Sequence, residues 1–381
     1  VEKKSIVWKN LIGQARVKEM LGAAFSTQSL GHAYLFCGDE GIGKFAAALE
    51  LSMALLCENA ADAPCFSCPS CQKVLRYSHP DFHVVLPMSL DKEYKASDGK
   101  LNQAGWDYLS SIVAEKIRQP YRFPSHSGVP VIPVEWIKEI NHAIGRGAVG
   151  AGKNIAIIGN VDLMNKESAN AMLKTLEEPP QNTIMILTTD HPQAVLPTIA
   201  SRCQIVRFGH VAENDIKKAL AVFLGPKADE RSIAGAVAYA MGSPGRALSL
   251  ADESLSQTAG EAREFWSMCC EGDWEKLGPW VDERAKRNDY KEQQRFFTYM
   301  MFLIRASFLQ NTARSEKYID GAGTLGGGQA ALGDATCAHR LAGACEAALS
   351  SIAAYGNLAI VFVNFIMTVM EIVNVEKRKA G

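Results

Sequence analysis

Short aliphatic and β-branched runs alternate with longer amphipathic stretches between Ala33 and Phe208. That alternation predicts a parallel sheet whose strands are joined by crossover helices. The predicted strands are Ala33–Phe36, Phe82–Leu86, Asn154–Ile158, Thr183–Thr188 and Gln204–Phe208. The third and fourth contain IAII and TIMIL, unbroken apolar runs expected of strands buried on both faces. Helices are predicted at Lys44–Leu56, Val134–Ile144 and Lys166–Leu176, the last stopped by Pro179-Pro180. Residues 89–130 are polar with mixed charge and a Gly/Ser/Pro-rich end, and read as an insertion or flap on the sheet rather than a core element. Beyond Phe208 only helical periods follow, as in Ala212–Leu224, Trp274–Arg287 and Tyr290–Gln310. A Gly-rich break at 321–328 precedes the final helices. The plan is an α/β domain, a small helical lid and a larger helical bundle.

Composition narrows the classes. At 381 residues with 48% hydrophobic and 21% charged content, the chain has the makeup of a folded protein of two or three domains. A net charge of −1 predicts no general affinity for polyanions, so any work on DNA runs through a local patch or through partners. Leu358–Val373 is the longest apolar run; Asn364 interrupts it, and it reads as a buried helix rather than a membrane span. The opening Val1-Glu-Lys-Lys-Ser5 has no apolar core of a secretory signal. Of ten cysteines four sit in one short cluster, a pattern of a reducing compartment and a metal site. A cytoplasmic location is the expectation.

The segment AYLFCGDEGIGKFAAALELSMALL carries the first candidate chemistry. Gly38, Gly43 and Lys44, with Gly41 between them, match the phosphate-loop pattern in a strand–turn–helix setting. Such a loop needs glycines so that backbone N–H groups can surround phosphates, and a lysine as a mobile positive charge. The next position requires a Ser or Thr hydroxyl to hold Mg²⁺, and here it is Phe45. The partner strand Ile155–Ile158 should end in carboxylates but ends in Gly159-Asn160, and Asp162 lies beyond the strand end, pointing elsewhere. Two losses converge on a site that does not hydrolyse nucleotide; whether it binds one weakly or not at all stays open.

Cys65, Cys68 and Cys71 follow C-x-x-C-x-x-C spacing, with Cys57 upstream. Two-residue gaps let thiolates converge, and four sulfurs complete a tetrahedral zinc shell of the structural kind. Free or redox thiols are the alternative. Cys37, Cys203, Cys269 and Cys270 have no ligand spacing and are expected to be buried small apolar groups. Ser201-Arg202-Cys203 precedes the fifth strand, where Arg202 can project from the domain edge. Its planar guanidinium suits a phosphate of a neighbouring subunit, and an ordinary surface ion pair is the alternative. The apolar face of Ala169–Leu176 reads as core, with a DNA-facing role second.

Taken together these residues resemble a known family: the AAA+ clamp-loader subunits of bacterial DNA polymerase III, delta-prime and tau/gamma. The matching segments are IGQARVKEML (12–21), GHAYLFCGDEGIGK (31–44), the four cysteines, HPDFHVV (79–85), ESANAMLKTLEEPP (167–180), ILTTDHPQAVLPTIASRCQ (186–204) and GSPGRAL (242–248). The resemblance implies a RecA-like α/β P-loop AAA+ domain over 1–208, with the cysteine module at 57–71 and the insertion at about 89–130. A helical lid over 209–252 and a helical collar over 253–381 follow. It implies that Arg202 acts in trans as an arginine finger, that Thr188 or Thr189 stands at the sensor-1 position, and that Arg246 stands at sensor 2. The implied partners are tau/gamma and delta subunits, with the sliding clamp and primed DNA reached through the complex. Tau/gamma motors keep the phosphate-loop hydroxyl and the acidic pair and carry a long tail, none of which is found here, so the delta-prime type is the expectation. An active tau/gamma-type ATPase and a zinc-bearing AAA+-derived scaffold are the alternatives.

Overall fold

The computed structural model describes residues 5–59, 62–89, 92–95, 100–122, 130–149, 152–225, 233, 236–237, 240–250, 254–311 and 335–380. The Gly-rich break predicted at 321–328 lies outside them. The chain divides into two compact units, the first running to Ile216 and including Gly242–Gly245, the second holding the helices from Lys217 onward.

The first unit is built on five parallel strands: β1 (Ala33–Cys37), β2 (Phe82–Val85), β3 (Asn154–Ile158), β4 (Thr183–Thr189) and β5 (Gln204–Arg207). Their order across the sheet is β2-β3-β4-β1-β5. All residues of β1, β3 and β4 are buried, which accounts for their unbroken apolar runs. At the edge, β5 keeps only Val206 inside. Helices α1 (Ala15–Ser26), α2 (Lys44–Leu56), α3 (Pro69–Leu75), α4 (Gln103–Arg118), α5 (Val134–Gly145), α6 (Lys166–Glu177) and α7 (Pro197–Ala200) belong to this unit. Helix α2 is buried on all sides from Lys44 to Ala54. Its Glu50 accepts backbone N–H groups from Lys9, Asn10 and Leu11, tying the N-terminal segment to the core. The apolar face of α6 (Ala169, Met172, Leu176) is core, as its periodicity predicts.

The stretch expected to be a surface insertion is more than that. Helix α4 buries Leu109, Ile112, Val113 and Ile117 along one stripe, and Tyr121 just after it is 5% exposed. The segment is polar on average because its other face is solvated. Its inner face joins the core.

The second unit contains α9 (Pro244–Leu250, from Arg246), α10 (Ser254–Glu271), α11 (Trp274–Arg287), α12 (Tyr290–Asn311), α13 (Ala335–Ala353) and α14 (Leu358–Ala380), and α8 (Glu213–Leu224) runs across the division. Its core is aromatic: Phe265 and Trp280 stack at 4.6 Å, and Phe297 meets Phe362 at 5.0 Å. Arg284 is buried among them, its guanidinium 4.7 Å from the Trp280 ring centre and 4.6 Å from that of Phe296. Glu261 and Glu292 balance its charge, and Gln293 Oε1 accepts a bond at 3.0 Å.

Helix α14 differs from expectation in two ways. Leu358–Val375 is long and apolar enough to cross a membrane by length and composition. Asn364 does not interrupt the apolar run that forms the core, because it sits on the opposite, exposed face. That face also carries Ile360, Val363 and Met367 in the open, so the helix is half-buried rather than buried, while Phe362, Phe365, Ile366 and Val369 fill the core.

Substituting Arg284→Ala leaves Glu261 without its cation, while Glu292 keeps Arg287 at 3.1 Å. The expected cost is about 3 kcal/mol, the low end of the penalty for removing one partner of a buried ion pair, because both carboxylates are partly exposed. Urea unfolding should show a lower midpoint with little change in slope.

Candidate functional site

The turn between β1 and α2 brings the four predicted phosphate-loop residues together. Gly43 has φ +108°, and a Cβ there would lie 3.0 Å from Leu11 and 3.2 Å from the Tyr121 hydroxyl. Glycine is therefore required on both conformational and steric grounds. Lys44 folds back beneath the turn and is only 6% exposed. Its Nζ donates to the carbonyls of Gly38 (2.6 Å) and Asp39 (2.7 Å) and pairs with Asp190 Oδ1 at 2.6 Å. A buried ammonium requires a counter-charge, and Asp190, one residue past β4, supplies it. Asn160 donates its side-chain amide to the other oxygen of Asp190 at 2.8 Å.

Three elements close around the loop. The Tyr121 hydroxyl accepts the Ile12 N–H at 2.7 Å and donates to the Asn10 carbonyl at 3.1 Å. Ser243 Oγ donates to the Glu40 carbonyl at 2.8 Å, and the Gly245 N–H donates to the Gly41 carbonyl at 2.9 Å. A Cβ on Gly245 would come within 2.6 Å of Gly41 Cα, so only glycine permits this approach. Outside, His210 Nε2 meets Asp39 Oδ2 at 2.9 Å.

Phe45, at the position of the metal-ligating hydroxyl, is buried, and the Lys116 ammonium lies 5.2 Å from its ring centre. Lys116 comes from α4 and donates to the Arg122 carbonyl at 2.6 Å. A buried cation thus lies over the ring of the residue that stands at the sequence position of the metal-ligating hydroxyl. Asp162 is not directed away from the site as the sequence suggests: its Oδ1 accepts the Thr189 hydroxyl at 2.6 Å. Burial pushes its carboxyl above the ordinary range, and the nearby Asp190 charge adds to the rise. Thr188 Oγ1 accepts the Asn160 N–H at 3.2 Å. Arg246 belongs to the second unit.

Arg202 stands apart from this cluster. It follows α7 and is 34% exposed; its guanidinium donates to the Thr198 carbonyl at 2.7 Å and pairs with Glu177 Oε1 at 2.7 Å. The local ion pair that the sequence left as the alternative is formed.

The four clustered cysteines do converge. Their sulfurs all lie within 4.8 Å of one another, with Cys57 and Cys68 at 4.0 Å. Backbone N–H groups of Cys65, Cys68 and Cys71 point at the sulfurs of Cys57, Cys65 and Cys68 at 3.3–3.5 Å. Donors aimed at sulfur favour the thiolate, and the Ser67 N–H, the largest influence on Cys65, pulls that thiol down to about 6. Burial pushes Cys71 and Cys57 the other way. Four thiols so placed could hold one metal ion. Of the other cysteines, Cys37 and Cys269 are buried as expected, whereas Cys203 and Cys270 are only partly so.

A family model described as "DNA polymerase III, delta subunit" matches residues 13–212, over half of the chain. The chain belongs to this family. The matched region contains the phosphate loop, the cysteines, both carboxylates and Arg202. Among curated relatives, the DNA polymerase III subunit delta' of Bacillus subtilis is 31% identical over 54% of this chain and 50% of its own length. The delta' subunit of Haemophilus influenzae is 27% identical over 63% and 61%. The tau subunit of Bacillus subtilis is 26% identical over 65% of this chain and 38% of its own length. The chain thus spans about half the length of the curated relatives it matches. A solved gamma-subunit-related protein of DNA polymerase III from Thermotoga maritima aligns over 93% of this chain and 99% of its own, at 13% identity and a TM-score of 0.44.

Sequence reasoning missed Asp190, Lys116, Tyr121 and Glu177. The signals were present in TTDHPQ at the end of β4 and in LEEPP at the end of α6, but a residue's partner across the fold is not written in its neighbours. Removing Asp190 by substitution to Ala leaves Lys44 buried without a carboxylate and is expected to cost about 3–5 kcal/mol. The double substitution Lys44→Met/Asp190→Leu should restore most of that stability, because an apolar pair of similar volume replaces the charges. Thermal unfolding of the three variants measures both outcomes.

Proposed function

We propose that this chain is a delta-prime-type subunit of a DNA polymerase III clamp loader, one that does not hydrolyse ATP and supplies Arg202 to ATP held by an adjacent tau/gamma subunit. The observation that carries the first half is the state of the phosphate loop. Lys44, the group meant for phosphate, is neutralised by Asp190, and Phe45 beneath Lys116 takes the place of the Mg²⁺ hydroxyl. Hydrolysis by this class of site needs a metal between the β- and γ-phosphates and a positioned water. Phe45 has no side-chain oxygen, Gly159-Asn160 carry no carboxylate, and the Asn160 amide is committed to Asp190. ATP is bound weakly or not at all on this reading, with Thr188 as the residue of this domain that would meet it.

The motor alternative gains one observation: Asp162 and Asp190 place two carboxylates at the end of β4. Both are already engaged, by Thr189 and by Lys44. The second half of the proposal rests on Arg202 standing on the edge of the same domain with part of its guanidinium exposed. A planar cation of that kind matches the charge that develops on a transferring phosphoryl group. The neighbouring apolar residues Leu196 and Ile205 are exposed at 40% and 47%, as a subunit contact there requires.

The helical unit is the collar in this reading. Ile360, Val363, Met367 and Val375 form an exposed stripe on α14 that a neighbouring subunit's collar helix would cover. Delta and tau/gamma subunits are the partners, and the clamp and primed DNA are reached through the assembly. The zinc-bearing scaffold reading leaves Arg202 only its local ion pair with Glu177.

Cys57, Cys65, Cys68 and Cys71 hold a structural zinc ion. A tetrahedral shell with Zn–S bonds of about 2.3 Å puts sulfurs about 3.8 Å apart, close to the spacing here. When bound, the ion cross-links the end of α2 to the start of α3. Elemental analysis should find one zinc per chain, and Cys71→Ser should abolish it. Chelation should lower the melting temperature, since metal binding and folding are linked.

The decisive experiment is ATP turnover by the purified chain, alone and then mixed with tau/gamma and delta subunits of the same organism. The expected result is none alone and a DNA-stimulated rate on mixing. Arg202→Ala should leave assembly intact and remove the contribution of the site it serves, which a finger accelerates ~10³–10⁵-fold. Mg²⁺-dependent turnover by the chain alone would install the motor reading instead.

A further inference from the structure

We propose that Glu177 is the positioning residue for Arg202. The inference rests on the finger reading above and names the side chain that aims the finger.

Arginine carries five N–H donors in a rigid fork. In Arg202 one terminal nitrogen is fixed on the Thr198 carbonyl and the other on Glu177 Oε1, each at 2.7 Å. These two contacts come from different elements. Thr198 lies within α7, which ends just before the arginine itself, while Glu177 is the last residue of α6. A guanidinium held at two points has its plane fixed, and part of the side chain stays open to solvent.

Helix α6 is a firm base for such a contact. Asn165 caps it by accepting the Ser168 N–H at 2.8 Å, and Ser168 Oγ donates to the Ile132 carbonyl at 2.6 Å. Asn141 of α5 donates to the Ala171 carbonyl at 2.7 Å. Ala169, Met172, Thr175 and Leu176 are buried, so both ends of the helix are held. Pro179-Pro180 then stops the helix, which leaves Glu177 in its last turn.

Helix stability does not explain the carboxylate. An acid in the last turn opposes the helix dipole. Nor does the ion pair serve folding to any extent, since Glu177 is half exposed and such pairs contribute little. What the pair does provide is a fixed orientation for a cation that would otherwise sample many rotamers. A positioned group is worth more in a transition state than in a ground state, and small displacements are expensive in rate. Glu177 should therefore act on turnover and leave ATP affinity and stability alone.

The test uses the full chain assembled with its tau/gamma and delta subunits, with Arg202→Ala, Glu177→Ala, Glu177→Gln, the adjacent Glu178→Gln and the double Glu177→Ala/Arg202→Ala. The readouts are kcat and KM for DNA-stimulated ATP hydrolysis, and the melting temperature of each free chain. Glu177→Ala is expected to lower the Arg202-dependent part of kcat by about 10- to 100-fold, with KM unchanged. Glu177→Gln, which keeps a hydrogen-bond acceptor but loses the charge, should recover part of that loss. Glu178→Gln should behave as wild type. The double variant should be no slower than Arg202→Ala, because the two residues act as one unit.

If Arg202→Ala has no effect on turnover, the finger reading itself fails and takes the inference with it. If Arg202→Ala slows the complex but Glu177→Ala does not, the finger stands and the positioning role falls. Faster turnover in Glu177→Ala would make Glu177 a restraint, which also overturns the proposal. So would a double variant slower than Arg202→Ala, or a loss that tracks a fall in melting temperature.

Discussion

A lysine ammonium at the bottom of a glycine turn cannot remain without a negative partner once it is 6% exposed, and in this chain the partner is Asp190. The pairing has consequences beyond the two side chains. It joins the loop after β1 to the end of β4, and through Asn160 it includes the end of β3. Three strand ends are thereby held at one point. Tyr121, Ser243 and Gly245 then close over a loop whose charge is already balanced. In a nucleotide-binding loop the backbone N–H groups and the lysine wait for phosphate. Here the lysine does not wait.

The same accounting applies to the metal position. A divalent ion needs oxygen ligands, and the residues able to supply them have other partners. Asp162 takes the Thr189 hydroxyl, Asp190 takes Lys44, and Phe45 has no oxygen to offer and faces the Lys116 ammonium. Two buried cations lie nearby in the structure, Lys44 under the glycine turn and Lys116 over the Phe45 ring. Loss of the hydroxyl and loss of the strand-end carboxylates are thus not independent blemishes. In this structure Lys44 and Asp162 each have a partner within the protein.

The strands were legible in the sequence to within a residue because β1, β3 and β4 are buried on both faces and bounded by turn residues. Those two conditions write themselves into local composition. The glycine loop and the four cysteines were legible for a related reason: their function requires near neighbours in sequence to be near in space. What escaped was amphipathic or long-range. Helix α4 was hidden because its apolar stripe at 109, 112, 113 and 117 is diluted by a solvated face. Asn364 looked like an interruption only because a linear reading does not separate the two sides of a helix. Asp190 and Glu177 are each followed by a proline-containing turn and read as loop acids. Their partners Lys44 and Arg202 lie in other segments, and only the fold brings them together.

One segment links the closed site to the exposed arginine. Asp190 directly follows β4, and the chain runs from there through α7 to Arg202. The start of that run is fixed by the pair with Lys44, and its end by the pair with Glu177. In a subunit that bound and released nucleotide, the lysine would change partners in each cycle, and the end of β4 would be free to respond. On the proposed reading the carboxylate stands in place of a phosphate and the cycle is absent. On the reading proposed here, a permanently satisfied phosphate loop is then the condition for a finger of constant position, and the loss of one activity is what suits the domain to the other.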